Sequence, residues 1–414
     1  MPVDDLAGEN TGGLGATFFM ARQPIYDAGF RLQAYELLYR NEISSQEAHV
    51  GPDEELRALA NVLVEVGLDR LAGPAIAFIN LPMSLLGSEA LKLLPQHRVV
   101  LEILEDTPWT PEVEAHLLDL KKCGYKLALD DYIFEARHAP FLPLVDIVKV
   151  DVMGANHDQL REGMAKMDRR TRKYLAEKVE TPEEFEVCKN LGFDLFQGYF
   201  FSKPNTVRGS GVPANQGLSL SLLSKLQDPD LPIDELENLI VGNVALCHKI
   251  LRLVNSASMG LRREIDSIRQ ALMFIGSERI RTLASLALMT AVAGKPPELY
   301  NLAMTRAKYC EMLAQSIPFE SPQKHFIVGL LSVLDALTDL PMDEVIKELP
   351  LSADIADALR GIADATPCSR TLQHVLSVER GEWNKAENNL PGAPTNLYVD
   401  SVEWAEEQQK LLAA

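Results

Sequence analysis

The chain has 414 residues, which suffices for two or three domains with sizeable cores. Hydrophobic residues make up 47% and charged residues 24%, which excludes wholesale disorder, collagen-like repeats and coiled-coil rods. The net charge of −19 disfavours binding to DNA or RNA polymers, because most of the surface repels phosphate backbones. A small phosphate ligand at one focused site stays compatible with this charge.

The cysteine pattern and the N-terminus favour a cytoplasmic protein. The five cysteines are far apart and form no Cys-x-x-Cys pair, which argues for a reducing compartment and against a cysteine-rich zinc site. The first residues are acidic and glycine-rich, unlike a signal peptide. The longest uncharged run, 71–88, contains two prolines, so we expect no membrane span.

In the first half of the chain, short apolar runs alternate with helix-like segments. Runs such as AIAFINL, VVLEILE and DIVKVDV lack a polar face, which is typical of parallel strands covered on both sides. A polar residue recurs in or after successive runs at intervals of 19 to 28 residues: Asn80, Glu102, Asp130, Lys149, Glu177 and Gln197. This interval fits a strand, a loop and a helix. It predicts a (β/α) barrel in preference to a doubly wound open sheet.

The second half has a different periodicity. A segment rich in Gly, Pro, Ser and Asn ends the strand pattern, and apolar residues then recur at three- and four-residue spacing. We therefore predict an α/β barrel followed by an all-α domain. The predicted organisation is a flexible tail over 1–15, the barrel domain over 16–204, a linker over 205–217, the helical domain over 218–390, and a C-terminal tail or helix over 391–414.

Carboxylates within apolar runs indicate a site, because a buried acid needs a partner. Oxygen ligands without His or Cys favour Mg²⁺, Mn²⁺ or Ca²⁺ over zinc, and the chain offers them at Glu36, Asn80, Glu102, Asp130 and Asp131. Lys149 and Glu177 would add a cation and a base, and the guanidinium of Arg40 would bind a phosphate. Together these residue types predict metal-assisted hydrolysis of a phosphodiester.

Each of these residues also has a plainer interpretation. A strand-terminal acid is more often a helix cap or a surface charge. Lys149 could pair structurally with Asp151, and Arg40 could be an ordinary surface cation. Only their joint recurrence at one sequence period favours a site.

The blocks ARQPIYDAGFRLQAYELLYR, FINLP, LEILED, LALDDY, VKVD, LAEKVE and FQGYFFSKP occur in order over residues 17–204. Together they resemble the EAL domain, the cyclic di-GMP phosphodiesterase fold. The resemblance implies a (β/α)₈ TIM-like barrel with Mg²⁺ or Mn²⁺ held by Glu36, Asn80, Glu102, Asp130 and Asp131. It implies further roles at the attacking water for Lys149 and Glu177, catalytic support from Glu180 and Gln197, ligand contacts from Arg40 and Gln23, and a loop-stabilising role for Glu105.

The chain departs from the EAL pattern at three places. The signature Glu-Ala-Leu is Glu36-Leu37-Leu38, and Lys178 stands where the family has glycine. After the two aspartates, the bulky stretch Tyr132–Glu135 replaces a glycine-containing loop. The short stretch between Lys149 and Glu177 predicts a trimmed barrel helix.

VALCHKILRLVNSASMG and IDSIRQALMFIGSERIRTLASLAL resemble the HDOD domain, over roughly residues 215–360. This helical output module is related to HD hydrolases but lacks their metal site. This half contains no His-Asp dipeptide, so we expect no hydrolysis there. The resemblance implies a protein partner for the domain.

Two functions are compatible with this combination. The favoured one is a cyclic di-GMP signalling protein that binds the nucleotide with metal in the barrel and signals through the HDOD domain, with weak or no hydrolysis. The alternative is an active metal-dependent cyclic di-GMP phosphodiesterase regulated by its HDOD domain. The altered loop after Asp131 favours the first, and the retained metal ligands favour the second. Whether the chain is an enzyme, and whether it forms a homodimer, is left open.

Overall fold

The computed structural model describes residues 18–41, 67–88, 91–92, 94–153, 157–198, 222–223, 225–226, 228, 231–255, 265–289, 295–316, 321–347, 349, 351–362, 366–394 and 396–413. Within these residues the chain forms eight strands and then helices only. The predicted tail over 1–15 and the predicted linker over 205–217 lie outside the described residues, and the domain boundaries stay predictions.

The eight strands close into one barrel in sequence order, which confirms the predicted TIM-like architecture. The strands are β1 Phe18–Asp27, β2 Leu32–Asn41, β3 Ile76–Leu81, β4 Val99–Ile103, β5 Lys126–Leu129, β6 Ile147–Asp151, β7 Lys173–Glu177 and β8 Leu195–Gln197. Neighbours from β2 to β8 are parallel.

Strand β1 departs from the parallel pattern, because it runs antiparallel to both β2 and β8. The connection from β1 to β2 is a tight turn in which Asp27 Oδ1 accepts hydrogen bonds from the backbone N–H groups of Gly29 (2.8 Å) and Arg31 (3.1 Å). Such a turn is too short for the crossover that a parallel pair requires.

Helices cover the outer face of the sheet where the sequence predicted them. Those of the barrel are Leu68–Ala72, Pro111–Lys122, His157–Ala165 and Pro182–Leu191, with a 3₁₀ turn at Ala136–His138. Two of these helices begin with a Thr-Pro pair, and the Thr110 and Thr181 hydroxyls accept hydrogen bonds from backbone N–H groups in the first helical turn. His157–Ala165 has only nine residues, in agreement with a short connection between β6 and β7.

The second half of the described chain is helical, which confirms the predicted class. Its helices are Ile233–Val241, Val244–Val254, Ile268–Ile275, Ser277–Met289, Pro297–Ser316, Pro322–Leu331, Leu334–Thr338, Met342–Lys347, Ala353–Leu359, Pro367–Glu379, Trp383–Asn389 and Leu397–Ala413. Among the described residues, no helix combines the length and the apolar character needed to cross a membrane.

The interior of the barrel has an apolar floor to which every strand contributes one side chain. The floor consists of Ile25, Ala34, Phe78, Val100, Ala128, Ile147, Leu175 and Leu195. A separate, larger core joins the outer face of the sheet to the helices. Because strand side chains alternate between faces, the next inward-facing position on each strand lies two residues from the floor.

The helical half packs against the outer side of β1 and β2. The buried guanidinium of Arg22 lies 2.8 Å from Glu406 Oε1, donates to the Leu71 carbonyl (2.7 Å), and stacks over the ring of Tyr35. The Tyr35 hydroxyl in turn donates to Glu298 Oε1 at 2.6 Å. Buried polar contacts of this kind fix one docking geometry, because each group would be left without a partner if the surfaces slid.

Candidate functional site

A ring of polar side chains lies directly above the apolar floor. Each member is two residues from the floor residue of its own strand, so all eight face inward in one layer: Gln23, Glu36, Asn80, Glu102, Asp130, Lys149, Glu177 and Gln197. Gln23 precedes its floor residue, whereas the other seven follow theirs, because β1 runs in the opposite direction. The fold thus brings together every predicted site residue that belongs to the barrel strands, except Arg40, whose side chain lies outside the described part of the structure.

Lys149 is the centre of the ring. Its ammonium is fully buried, and Nζ lies 2.7 Å from Glu102 Oε1, 2.7 Å from Asp130 Oδ1, 2.9 Å from Glu177 Oε1 and 3.2 Å from Glu36 Oε2. The plainer interpretation, a pair between Lys149 and Asp151, does not describe these contacts. Lys149 instead joins carboxylates that lie in, or directly after, four other strands.

The ring carries more negative charge than one ammonium can neutralise. Burial raises the pKa of Glu102 well above its ordinary value, and the neighbouring Glu36 adds to this effect. Burial likewise raises the pKa of Glu177 to about 8. Burial alone would lower the pKa of Lys149, but the surrounding carboxylates hold it well above the usual value. The surroundings of the ring therefore favour the protonated forms of Glu102 and Glu177.

Two glutamines connect the ring. Gln197 Nε2 donates to Glu36 Oε2 at 2.6 Å and to Gln23 Oε1 at 2.9 Å. Gln23 Nε2 donates to the carbonyl of Glu379, in the helical half, at 3.2 Å. Gln197 thus orients a ring carboxylate, and Gln23 links the ring to the helices.

Asp131 lies beside the ring and faces a lysine. Lys178 Nζ is 3.2 Å from Asp131 Oδ1 and 2.6 Å from Asp151 Oδ2. Asp131 and Lys178 both have positive φ, 42° and 55°, the left-handed conformation in which glycine is least strained. Glu105, which is exposed, offers a carboxylate oxygen within 4.8 Å of oxygens of Asp130 and Asp131, so these three acids could share a cation.

The loop after Asp131 is held by aromatic packing. Tyr132 is buried, and its N–H donates to the carbonyl of Lys149 at 2.8 Å. The rings of Tyr132 and Phe134 are 5.2 Å apart, and Phe134 packs over Gly163, where a Cβ would approach the ring to 2.5 Å. The bulky replacements therefore fix this loop against the helix His157–Ala165.

A cavity of about 620 Å³ opens above the ring. It is lined by Gln23, Glu36, Leu38, Asp130, Asp131, Met153, Glu177, Lys178, Glu180, Gln197, Gly198, Arg380 and Glu382. Glu180, a site residue implied by the resemblance, is thus among the residues that line this cavity. Sequence reasoning missed Arg380 and Glu382, because no local pattern marks a contact between the barrel and a helix so far along the chain.

Comparisons with known proteins agree in domain order. The EAL domain matches residues 80–204 and the HDOD domain matches residues 212–348. The chain is 33% identical over 413 residues to the cyclic di-GMP phosphodiesterase CdgJ of Vibrio cholerae, covering 96% of this chain and 94% of that protein. It is 30% identical over 400 residues to the uncharacterized protein YuxH of Bacillus subtilis, covering 93% and 97%. The BlrP1 structure of Klebsiella pneumoniae with calcium and cyclic di-GMP is similar at 24% identity and a TM-score of 0.39, covering 50% and 58%.

Proposed function

Because the chain belongs to the family of proteins that join an EAL domain to an HDOD domain, we propose that it is a cyclic di-GMP signalling protein. In this proposal the barrel ring binds a divalent metal and the nucleotide, and the helical domain relays the bound state to a protein partner. The observation that carries the proposal is the buried layer of four carboxylates around Lys149, which opens into a cavity at the barrel mouth.

The donor set suits a hard divalent cation. The acidic and amide members of the ring offer oxygen atoms only, and Mg²⁺, Mn²⁺ and Ca²⁺ prefer such ligands. Burial raises the pKa of Glu102 and of Glu177, so the charged forms of both carboxylates are disfavoured, and a bound divalent ion would stabilise these charged forms. We assign Mg²⁺ or Mn²⁺ to Glu36, Asn80, Glu102 and Asp130, with Asp131 at the edge. When bound, the metal would neutralise phosphate charge and activate a water.

The remaining ring residues would orient and move protons. Lys149 Nζ, 2.9 Å from Glu177 Oε1, holds this carboxylate in place beside the proposed metal ligands. With a pKa of about 8, Glu177 can accept or release a proton near neutral pH, as a general base requires. Gln197 fixes Glu36 through its 2.6 Å hydrogen bond.

Two observations support binding with weak or no hydrolysis. Lys178 already pairs with Asp131, so a cation that needs this carboxylate must compete with an ammonium. The loop from Tyr132 is fixed by aromatic contacts, which reduces its freedom to rearrange around a ligand. Active phosphodiesterase is the second candidate, supported by the intact ring and by the name of the V. cholerae relative.

The test combines binding with product analysis. Titration calorimetry with cyclic di-GMP in Mn²⁺ should show saturable binding, and removal of the metal with EDTA should abolish it. The Glu36→Ala variant should lose binding, whereas Glu186→Ala, at an exposed helix position, should retain it. Chromatography of the same mixtures separates the candidates, because linear dinucleotide formed in large molar excess over the protein would establish the enzyme. The absence of nucleotide binding in the presence of metal would refute both.

A further inference from the structure

The helical half contributes side chains to the cavity above the ring. The turn that follows the helix Pro367–Glu379 places Arg380 and Glu382 at the cavity mouth, opposite the barrel residues. The cavity therefore has walls from both halves of the chain.

This turn is held against the barrel by buried contacts. The carbonyl of Glu379 accepts a hydrogen bond from Gln23 in the ring. The guanidinium of Arg306 donates hydrogen bonds of 2.8–3.0 Å to the Glu379 carboxylate, and both side chains are buried. Gly381 packs so closely on the barrel that a Cβ there would lie 3.3 Å from Leu38 Cδ1. The position of the Arg380 backbone is thus fixed relative to the ring.

An anionic ligand in this cavity would need a positively charged side chain to offset the carboxylates of the wall. A cyclic dinucleotide carries two phosphodiester charges, and the cavity wall is rich in carboxylates. Among the described residues that line it, Lys178 and Arg380 are the cations. The carboxylate of Glu382 is paired with Lys385 at 2.7 Å, which reduces its repulsion of an anion.

We propose that Arg380 is a ligand-binding residue of the barrel site, and that its guanidinium contacts a phosphate of the nucleotide. The helical domain then completes the site instead of only receiving its signal. Arg380 is exposed, and its planar guanidinium has the geometry to donate two parallel hydrogen bonds to two oxygens of one phosphate. This inference rests on the proposed function, since it takes the cyclic dinucleotide as the ligand.

The experiment compares two charge reversals in the full-length protein. Arg380→Glu alters the cavity, whereas Arg370→Glu makes the same change in net charge at an exposed position within the helix Pro367–Glu379, outside the cavity. Calorimetry with cyclic di-GMP in Ca²⁺ measures the dissociation constant, and thermal unfolding without ligand checks folding. We expect Arg380→Glu to weaken binding about tenfold or more, and Arg370→Glu to change it less than about twofold. Arg380→Lys keeps the positive charge but loses the paired hydrogen bonds of the guanidinium, so its dissociation constant should lie between those of the two reversals.

The outcomes separate this inference from the proposed function. If the unchanged protein binds and both reversals leave the dissociation constant within about twofold of it, Arg380 does not contact the ligand and the inference is overturned. Equal weakening of binding by both reversals would also overturn the inference, because the effect would then come from the change in the net charge of the protein and not from a contact with the ligand. Failure of the unchanged protein to bind the nucleotide would instead refute the proposed function.

Discussion

Replacing Lys149 with methionine tests the balance of charge in the ring. The substitution keeps an apolar stem of similar length and removes the ammonium that contacts four carboxylate oxygens at 2.7–3.2 Å. Each contact is worth about 5–6 kcal/mol at an effective dielectric constant of about 20, and the cost of burying the ammonium offsets most of this sum. We therefore expect the metal-free Lys149→Met variant to lose about 3–5 kcal/mol of unfolding free energy at pH 7.5, because breaking a buried ionic network leaves charges uncompensated.

Urea denaturation in EDTA, followed by circular dichroism, measures this loss. Saturating Mg²⁺ should restore about 2–3 kcal/mol when present at about a hundred times its dissociation constant, because it binds only the folded ring. Lys189→Met removes an exposed lysine that pairs with Glu186, and should change stability by less than about 0.5 kcal/mol. A Lys149→Met variant as stable as the unchanged protein in EDTA, with no response to Mg²⁺, would refute the charge argument.

Further predictions concern protons, the second lysine and a glycine at the mouth. The pKa of Glu177 is raised to about 8 in the folded protein, so the folded state binds this proton more tightly than the unfolded state does. The resulting contribution to the unfolding free energy is fully present below about pH 4.5 and is lost as the pH rises through about 8. Urea midpoints of the metal-free protein should therefore fall from pH 5 to pH 8, and Glu177→Gln should flatten this dependence; an equally steep profile in the variant would assign it to another group. Lys178→Gly should tighten Mn²⁺ binding about tenfold in calorimetry, since it frees Asp131 and suits the positive φ, and unchanged affinity would contradict this expectation. Gly198→Ala should lower stability by about 2–4 kcal/mol in the same urea assay, because a Cβ would lie 2.1 Å from the carbonyl oxygen of Val179 at a φ of 145°; an unaltered midpoint would show that the backbone relaxes there.

Six of the eight ring members were predictable, because they recur in or directly after apolar runs at the period of one strand, loop and helix: Asn80, Glu102, Asp130, Lys149, Glu177 and Gln197. Glu36 was indicated by its position as a carboxylate within an apolar run. The sequence also predicted the closed barrel and the helical second half. The resemblance to the EAL domain added Gln23 and Glu180, which have no signal of their own in the periodicity.

What escaped prediction depends on contacts between distant segments. The antiparallel direction of β1 is set by the hydrogen bonds of Asp27 in a short turn, and apolar runs carry no information on direction. The pairing of Lys178 with Asp131 and Asp151 requires the ends of three strands to meet. Arg380 reaches the cavity only because the helical half docks on β1 and β2, and no local pattern encodes that surface.

The constant offset of two residues between floor and ring limits how this barrel can diverge. Deleting a single residue between Val100 and Glu102 would turn the glutamate toward the helices outside the sheet, since each strand position alternates in direction. Insertions and deletions are thus confined to the loops and helices that connect the strands. The floor and the ring can change only by substitution of one residue for another. Homologues in which ring residues have been exchanged should therefore still align without gaps across every strand.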